Sequence, residues 1–121
     1  MQINLEANDP YTVEAYSDTA IQINSTHYTQ SLVVSTHELI SDWPVQRIGE
    51  LNDATLSPLL KHQPDIVLIG HTHTGQFAPA GILQQLAAER IALECMSIGA
   101  ACRTFNVLLS EGRRVVLGII L

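Results

Sequence analysis

The sequence predicts an α/β fold. It reads as a three-layer domain with a mixed, mostly parallel sheet flanked by helices, preceded by an antiparallel β meander. Three observations carry this. Short apolar runs alternate with segments of helical spacing from Asp53 to the C-terminal residues, the order expected of strands and crossover helices. The first 45 residues hold β-prone segments separated by short polar turns. All seven glycines lie from Gly49 onward, so the two halves must turn by different means.

In the first half the turns fall at Asn8-Asp9, Ser17-Asp18 and Asn24-Ser25, pairs whose short polar side chains tolerate turn geometry. The segments between them, 11–16, 20–24 and 30–35, are expected to be the strands of the meander. Ile21 and Ile23 share one face with Gln22 on the other, which suits a half-solvated sheet. After Trp43-Pro44 the pattern changes. A helix is expected from Asp53, as its cap, to His62, with Pro64 ending it. The run 66–69 is continuous and β-branched, as for a strand covered on both faces. Pro79 opens a helix carrying Ile82, Leu83, Leu86 and Ala87 and closing at Glu89-Arg90. Residues 91–96 form a further buried strand, 98–110 a helix stopped by Gly112, and Arg114–Leu121 the last strand. Strand–helix–strand–helix–strand implies right-handed crossovers and a largely parallel core. The chain is expected to be one domain over 1–121, β-rich through 45 and α/β from 46.

Composition narrows the functional classes. The chain has 121 residues, is 46% hydrophobic and 15% charged, and carries a net charge of −6. Residues 1–60 contain eight acids and one base, residues 61–121 four acids and five bases. Few, scattered bases argue against nucleic acid, since phosphate neutralisation needs clustered Lys and Arg. The apolar balance suggests a protein partner, with a homodimer among the options. The start, Met1 to Glu6, lacks the basic and apolar regions of a targeting signal. The longest apolar stretch, Val115–Leu121, falls far below the roughly 20 residues of a membrane span. A cytoplasmic protein that does not span a membrane is expected, with Cys95 and Cys102 reduced. Cys95, inside the strand pattern, reads as core.

Candidate chemistry gathers around two turns. His71 and His73, two apart at a strand end, point the same way and can grip one metal ion. Gly70-His71-Thr72-His73 resembles a segment of calcineurin-like metallophosphoesterases. The Asp-x-His, Gly-Asp and Gly-Asn-His segments that supply that family's other ligands are missing, so no metal site is assigned. Gly70–Gly75 also has the spacing of a phosphate loop, but Gln76-Phe77 replace the Lys and hydroxyl residue that nucleotide hydrolysis requires. Cys102 lies early in a helix beside Arg103, where dipole and cation favour thiolate. A small buried thiol is the competing reading. Gly99, Ala100 and Ala101 let the helix start approach the sheet or a ligand. Asn106 is a poor helix former whose position suggests a hydrogen-bonding role.

The segments Glu94-Cys95-Met96, Ala100 to Leu108 and Glu111 to Val115 resemble the Mth938-like, or DUF498, domain family. Tyr16-Ser17-Asp18, Tyr28, Ser31 to Val34 and Trp43 fit the same family, and the likeness spans about residues 13–121. The family includes a mitochondrial complex I assembly factor, an adipogenesis-associated human protein and many bacterial proteins. The resemblance implies a three-layer α/β domain with extra β structure, acting by binding. This chain departs from the family at its first turn, with Gly70-His71-Thr72 where members carry Gly-Thr-Gly.

These readings converge on a non-catalytic binding or assembly-factor-like module without a cofactor. Its cleft is expected between the 70–75 turn and the 99–106 helix start, built from Gly70, His71, His73, Cys102, Arg103 and Asn106. A protein partner or a small anionic ligand would occupy it. The alternatives are a metal-dependent phosphoesterase-like hydrolase using His71 and His73, and a thiol-dependent enzyme using Cys102.

Overall fold

The computed structural model describes residues 11–73 and 75–121. The Asn8-Asp9 turn expected from the sequence lies outside them, as does Thr74. The strands are β1 (Val13–Tyr16), β2 (Ile21–Ile23), β3 (Thr26–Tyr28), β4 (Leu32–Ser35), β5 (Leu39–Ile40), β6 (Ile66–Gly70), β7 (Ala92–Met96) and β8 (Val115–Ile119). The helices are α1 (Asp53–Leu60), α2 (Ala80–Ala88) and α3 (Ile98–Ser110). A small antiparallel sheet has the order β1-β2-β3, and a five-stranded sheet the order β5-β4-β8-β6-β7.

The main sheet is mixed. β6 pairs in parallel with both β7 and β8, and β4 pairs antiparallel with β8 and with β5. The two-residue alternation of strand side chains sorts its apolar residues into two cores. Leu32, Val34, Leu68, Leu117 and Ile119 face α3 and the small sheet. Val33, Val67, Ile69, Val116 and Ile120 face α1, α2 and the segment around Trp43. Helix α3 is apolar on the side it buries, through Ile98, Ala101, Cys102, Phe105 and Leu109. Its length matches the expectation, and Gly112 follows it with φ +74°, the left-handed conformation that glycine adopts without strain.

The N-terminal half departs from the expected meander. Its third strand is β3, not 30–35. Asn24 and Ser25 both take positive φ (53° and 63°), so the hairpin returns in two residues and pairs Ile23 with Thr26. Segment 32–35 is thereby released into the main sheet, where it lies beside β8. The first helix is capped by Asn52, not Asp53. Asn52 Oδ1 accepts from the Thr55 N–H (3.0 Å), and Thr55 Oγ1 accepts from the Asn52 N–H (2.8 Å). It ends at Leu60, earlier than expected, and Gln63 turns the chain with φ 55°. Strand β7 lies at the sheet edge, so Cys95 is exposed, which corrects its reading as core.

Gly118 shows how tightly the second core closes. A Cβ there would lie 2.9 Å from the Trp43 ring and 3.0 Å from Ile69 Cδ1. The indole cannot slide away easily, because its Nε1–H donates to the Thr55 carbonyl at 2.9 Å. Gly118→Ala should therefore destabilise the protein by about 1–3 kcal/mol, the usual cost of overpacking a core. Urea unfolding would show this as a lower midpoint at unchanged slope; an unaltered midpoint would mean that Trp43 moves freely.

Candidate functional site

The two turns singled out from sequence do meet. Gly70 ends β6 beside Met96 of β7 and Ile119 of β8. A Cβ on Gly70 would lie 2.8 Å from Ile119 Cδ1, 3.0 Å from Ala101 Cβ and 3.2 Å from Ile98 Cα. The start of α3 is thus seated directly on the end of β6, and glycine is what permits it. Ser97 caps α3 by accepting from the Ala100 N–H at 3.3 Å. Beyond these strand ends lies a cleft of about 380 Å³, lined by His71, Thr72, His73, Gly75, Gln76, Met96, Ser97 and Asp18.

The imidazoles of His71 and His73 stack with their centroids 6.1 Å apart and an interplanar angle of 16°. The His73 N–H donates to His71 Nδ1 at 3.2 Å, and the His71 N–H donates to the Met96 carbonyl at 3.1 Å. Both rings are half-buried. His73 Nδ1 is buried and, among the described residues, has no hydrogen-bond partner. Burial, helped by the neighbouring His73, holds the His71 pKa below the ordinary histidine value. Two imidazoles are a thin donor set for a metal ion, and no group of three His, Cys, Asp or Glu suited to one occurs among the described residues.

The other expected site residues serve the fold. Cys102 is fully buried, and its desolvation outweighs Arg103's positive charge, pushing the thiol up to about 12. This corrects the thiolate expectation: the helix position favours ionisation, but the apolar packing opposes it more strongly. Arg103 does not line the cleft. Its Nη1 donates to Tyr16 Oη at 2.7 Å, and the guanidinium lies 5.9 Å from the Tyr16 ring centre. The Tyr16 ring in turn covers Gly99, where a Cβ would meet Tyr16 Cε1 at 2.9 Å. Asn106 is clamped to β1: its Oδ1 accepts from the Val13 N–H and its Nδ2 donates to the Val13 carbonyl, both at 2.9 Å. Cys102, Arg103 and Asn106 therefore do not join His71 and His73 around the expected cleft, and Asp18 brings an acid to the rim instead.

Sequence reasoning missed Asp18, Met96 and Ser97 as cleft residues. Only Ser97 carried a local signal, a cap-forming side chain just before a helical run. Asp18 arrives from the Ser17-Asp18 turn, and nothing in its spacing relates it to position 71.

A mixed sheet covered by helices, with a satellite sheet fastened to one of them and a cleft at the strand ends, defines a small three-layer α/β domain. The family model described as "Protein of unknown function (DUF498/DUF598)" matches residues 13–120, and the chain belongs to that family. A solution structure from Xanthomonas campestris is 35% identical, covering 91% of this chain and 83% of that one, with a TM-score of 0.83. A Bordetella pertussis protein described as a Mth938-like domain has the same fold, with a TM-score of 0.77 at 24% identity over 99% of this chain and 92% of its own. The "13 kDa major membrane protein" of Francisella tularensis subsp. holarctica is 27% identical over 94 residues, 77% of this chain and 76% of that protein.

Two outcomes follow from these contacts. Asn106→Ala leaves the Val13 N–H and carbonyl without their partner and should cost about 1–3 kcal/mol in denaturant unfolding; a neutral substitution would show that the clamp contributes nothing. His71 should titrate below the ordinary value near 6.5 when followed by its ring proton resonances. Because its folded pKa is depressed, its contribution to stability is complete above about pH 6.5 and is lost as pH falls through the folded value. A midpoint at or above 6.5 would remove the argument.

Proposed function

We propose that this chain is a non-catalytic, cytoplasmic binding module of the assembly-factor kind. In this reading it engages a protein partner at the rim built by His71, His73 and Gln76, with the buried Gly70 seating the turn beneath them. The observation that carries the reading is Phe77. It exposes 80% of its surface directly after Gln76, one of the cleft-lining residues. An exposed aromatic beside a depression rimmed by hydrogen-bonding side chains is the arrangement that anchors protein interfaces, where the ring supplies apolar area and the rim supplies hydrogen bonds. The residues of α3 with reactive or charged groups point the same way. Cys102 is buried, Arg103 is held by Tyr16 and Asn106 by Val13, so the cleft draws no nucleophile or acid–base pair from that helix.

The Francisella relative is named a membrane protein. Among the described residues of this chain, no helix is long and apolar enough to cross a membrane. A domain built this way would reach a membrane through its partner, which agrees with an assembly role.

Replacing Gln76 with a photo-crosslinking residue and irradiating intact cells tests the reading. One dominant adduct of defined mass is expected. Phe77→Ser should weaken its capture roughly thirtyfold, the effect of losing an anchor worth about 2 kcal/mol. Val107→Ser, at an exposed position on α3, should leave it unchanged. Adducts scattered over many proteins, or capture indifferent to Phe77, would overturn the proposal.

A further inference from the structure

A second cleft opens at the other end of the main sheet. β6 and β8 run parallel, with Ile66 opposite Val115 and Gly70 opposite Ile119, so the start of β8 lies a strand length from the His71–His73 turn. The cleft holds about 220 Å³. Its floor is apolar and comes from both cores: Leu109 and Val115 from one, Leu59 and Val116 from the other. His37, His62, Arg113 and Arg114 stand among its lining residues. The His37 and His62 rings pack against each other on one wall, 4.3 Å apart and tilted by 35°.

The charges around this cleft are unlike those of the chain as a whole. Only six Lys and Arg occur in a protein of net charge −6, yet Lys61, Arg113 and Arg114 gather here. The two carboxylates paired with them are already engaged. Glu38 meets Lys61 at 2.9 Å and His62 at 2.7 Å, and Asp65 meets Arg114 at 2.8 Å. Arg113 makes no side-chain hydrogen bond or ion pair among the described residues; Asp65, already bonded to Arg114, feels its charge only at longer range, so its guanidinium keeps its hydrogen-bond donors beside an apolar slot. Glu111, close by in sequence, is exposed and not part of the lining. The negative end of α3 is also quenched, because the Val107, Leu108 and Leu109 carbonyls accept from the Glu111, Gly112 and Arg113 N–H groups.

We propose that this cleft binds a small amphipathic carboxylate, an acyl or aromatic acid whose apolar body lies on Leu59, Leu109, Val115 and Val116 while its carboxylate meets Arg113. A guanidinium pairs with a planar carboxylate through two parallel hydrogen bonds, so one free arginine suffices for one carboxylate. A phosphate monoester would need a second uncommitted cation, and an ammonium group would find both carboxylates already paired. A cavity of roughly 150 Å³ accepts benzene, so this one suits a molecule of about ten non-hydrogen atoms. The site is separate from the partner-binding rim, and failure of either reading leaves the other intact.

Octanoate, octan-1-ol and octylamine, equal in chain length and different in head group, are the probes. They are titrated into the full chain, with methyl resonances of Leu59, Leu109, Val115 and Val116 observed by NMR. Octanoate is expected to shift these methyls saturably and to bind at least tenfold more tightly than the alcohol or the amine. Arg113→Gln, at an exposed position, should lower octanoate to the level of octanol and leave octanol unchanged. Raising the salt should weaken octanoate alone, which reads the same charge in the unaltered protein. The proposal is overturned if octanoate shifts the His71–Gln76 region instead, if octanoate and octanol bind alike, or if no saturable shift occurs.

Discussion

The seating of α3 on the main sheet is the contact on which the rest of this protein depends. At Gly70 and Ala101 the helix and strand approach so closely that one extra methyl group on Gly70 would collide with Ile119 and with the Ile98 backbone. That approach fixes where α3 begins, and so places Ser97 and Met96 beside the His71–His73 turn. It also sets the height of the helix's other face, on which the small sheet rests through Val13, Ile21 and Ile23. A strand of three or four residues contributes little alone, and the three-stranded sheet gains by burying its apolar face against this helix.

The same contact explains why residues that look like reaction machinery are fasteners. Tyr16, Gly99 and Arg103 make a stack that seals the first turn of α3, and Asn106 completes the backbone pairing of Val13. A buried cysteine fills the space between helix and sheet, where the absence of water keeps it a thiol. Two of the clefts that remain open to solvent lie at opposite ends of the main sheet and differ in character. The strand-end cleft is lined mainly by hydrogen-bonding residues and carries an acid, whereas the cleft at the start of β8 has an apolar floor beside an arginine without a hydrogen-bonded partner.

Much of this architecture was legible in the chain. Helix α3 and the strand before it follow from uninterrupted patterns and a terminal glycine, features that local sequence states outright. The satellite sheet was less readable, because Asn24-Ser25 makes a two-residue hairpin without glycine and hides β3 inside what looks like a linker. The apolar content of 91–96 suggested a covered strand, but strand order placed it at an edge. In the site, Gly70, His71 and His73 declared themselves as a motif, while their neighbours did not. Arg103 meets Tyr16 across 87 residues and Asn106 meets Val13 across 93, pairings that no local pattern encodes. Their residue types announced that hydrogen bonds would be made, but not that the recipients would be β1 and its end.

The fully enclosed Cys102 gives the molecule a built-in recorder of its own breathing. Its sulfur lies in the core that α3 shares with both sheets, so a reagent reaches it only when that core opens locally or the whole chain unfolds. Cys95, exposed on the outer strand, can be reached whether or not anything has opened. One polypeptide thus carries both a clock and its reference, and the ratio of their modification rates measures how often the core around α3 opens.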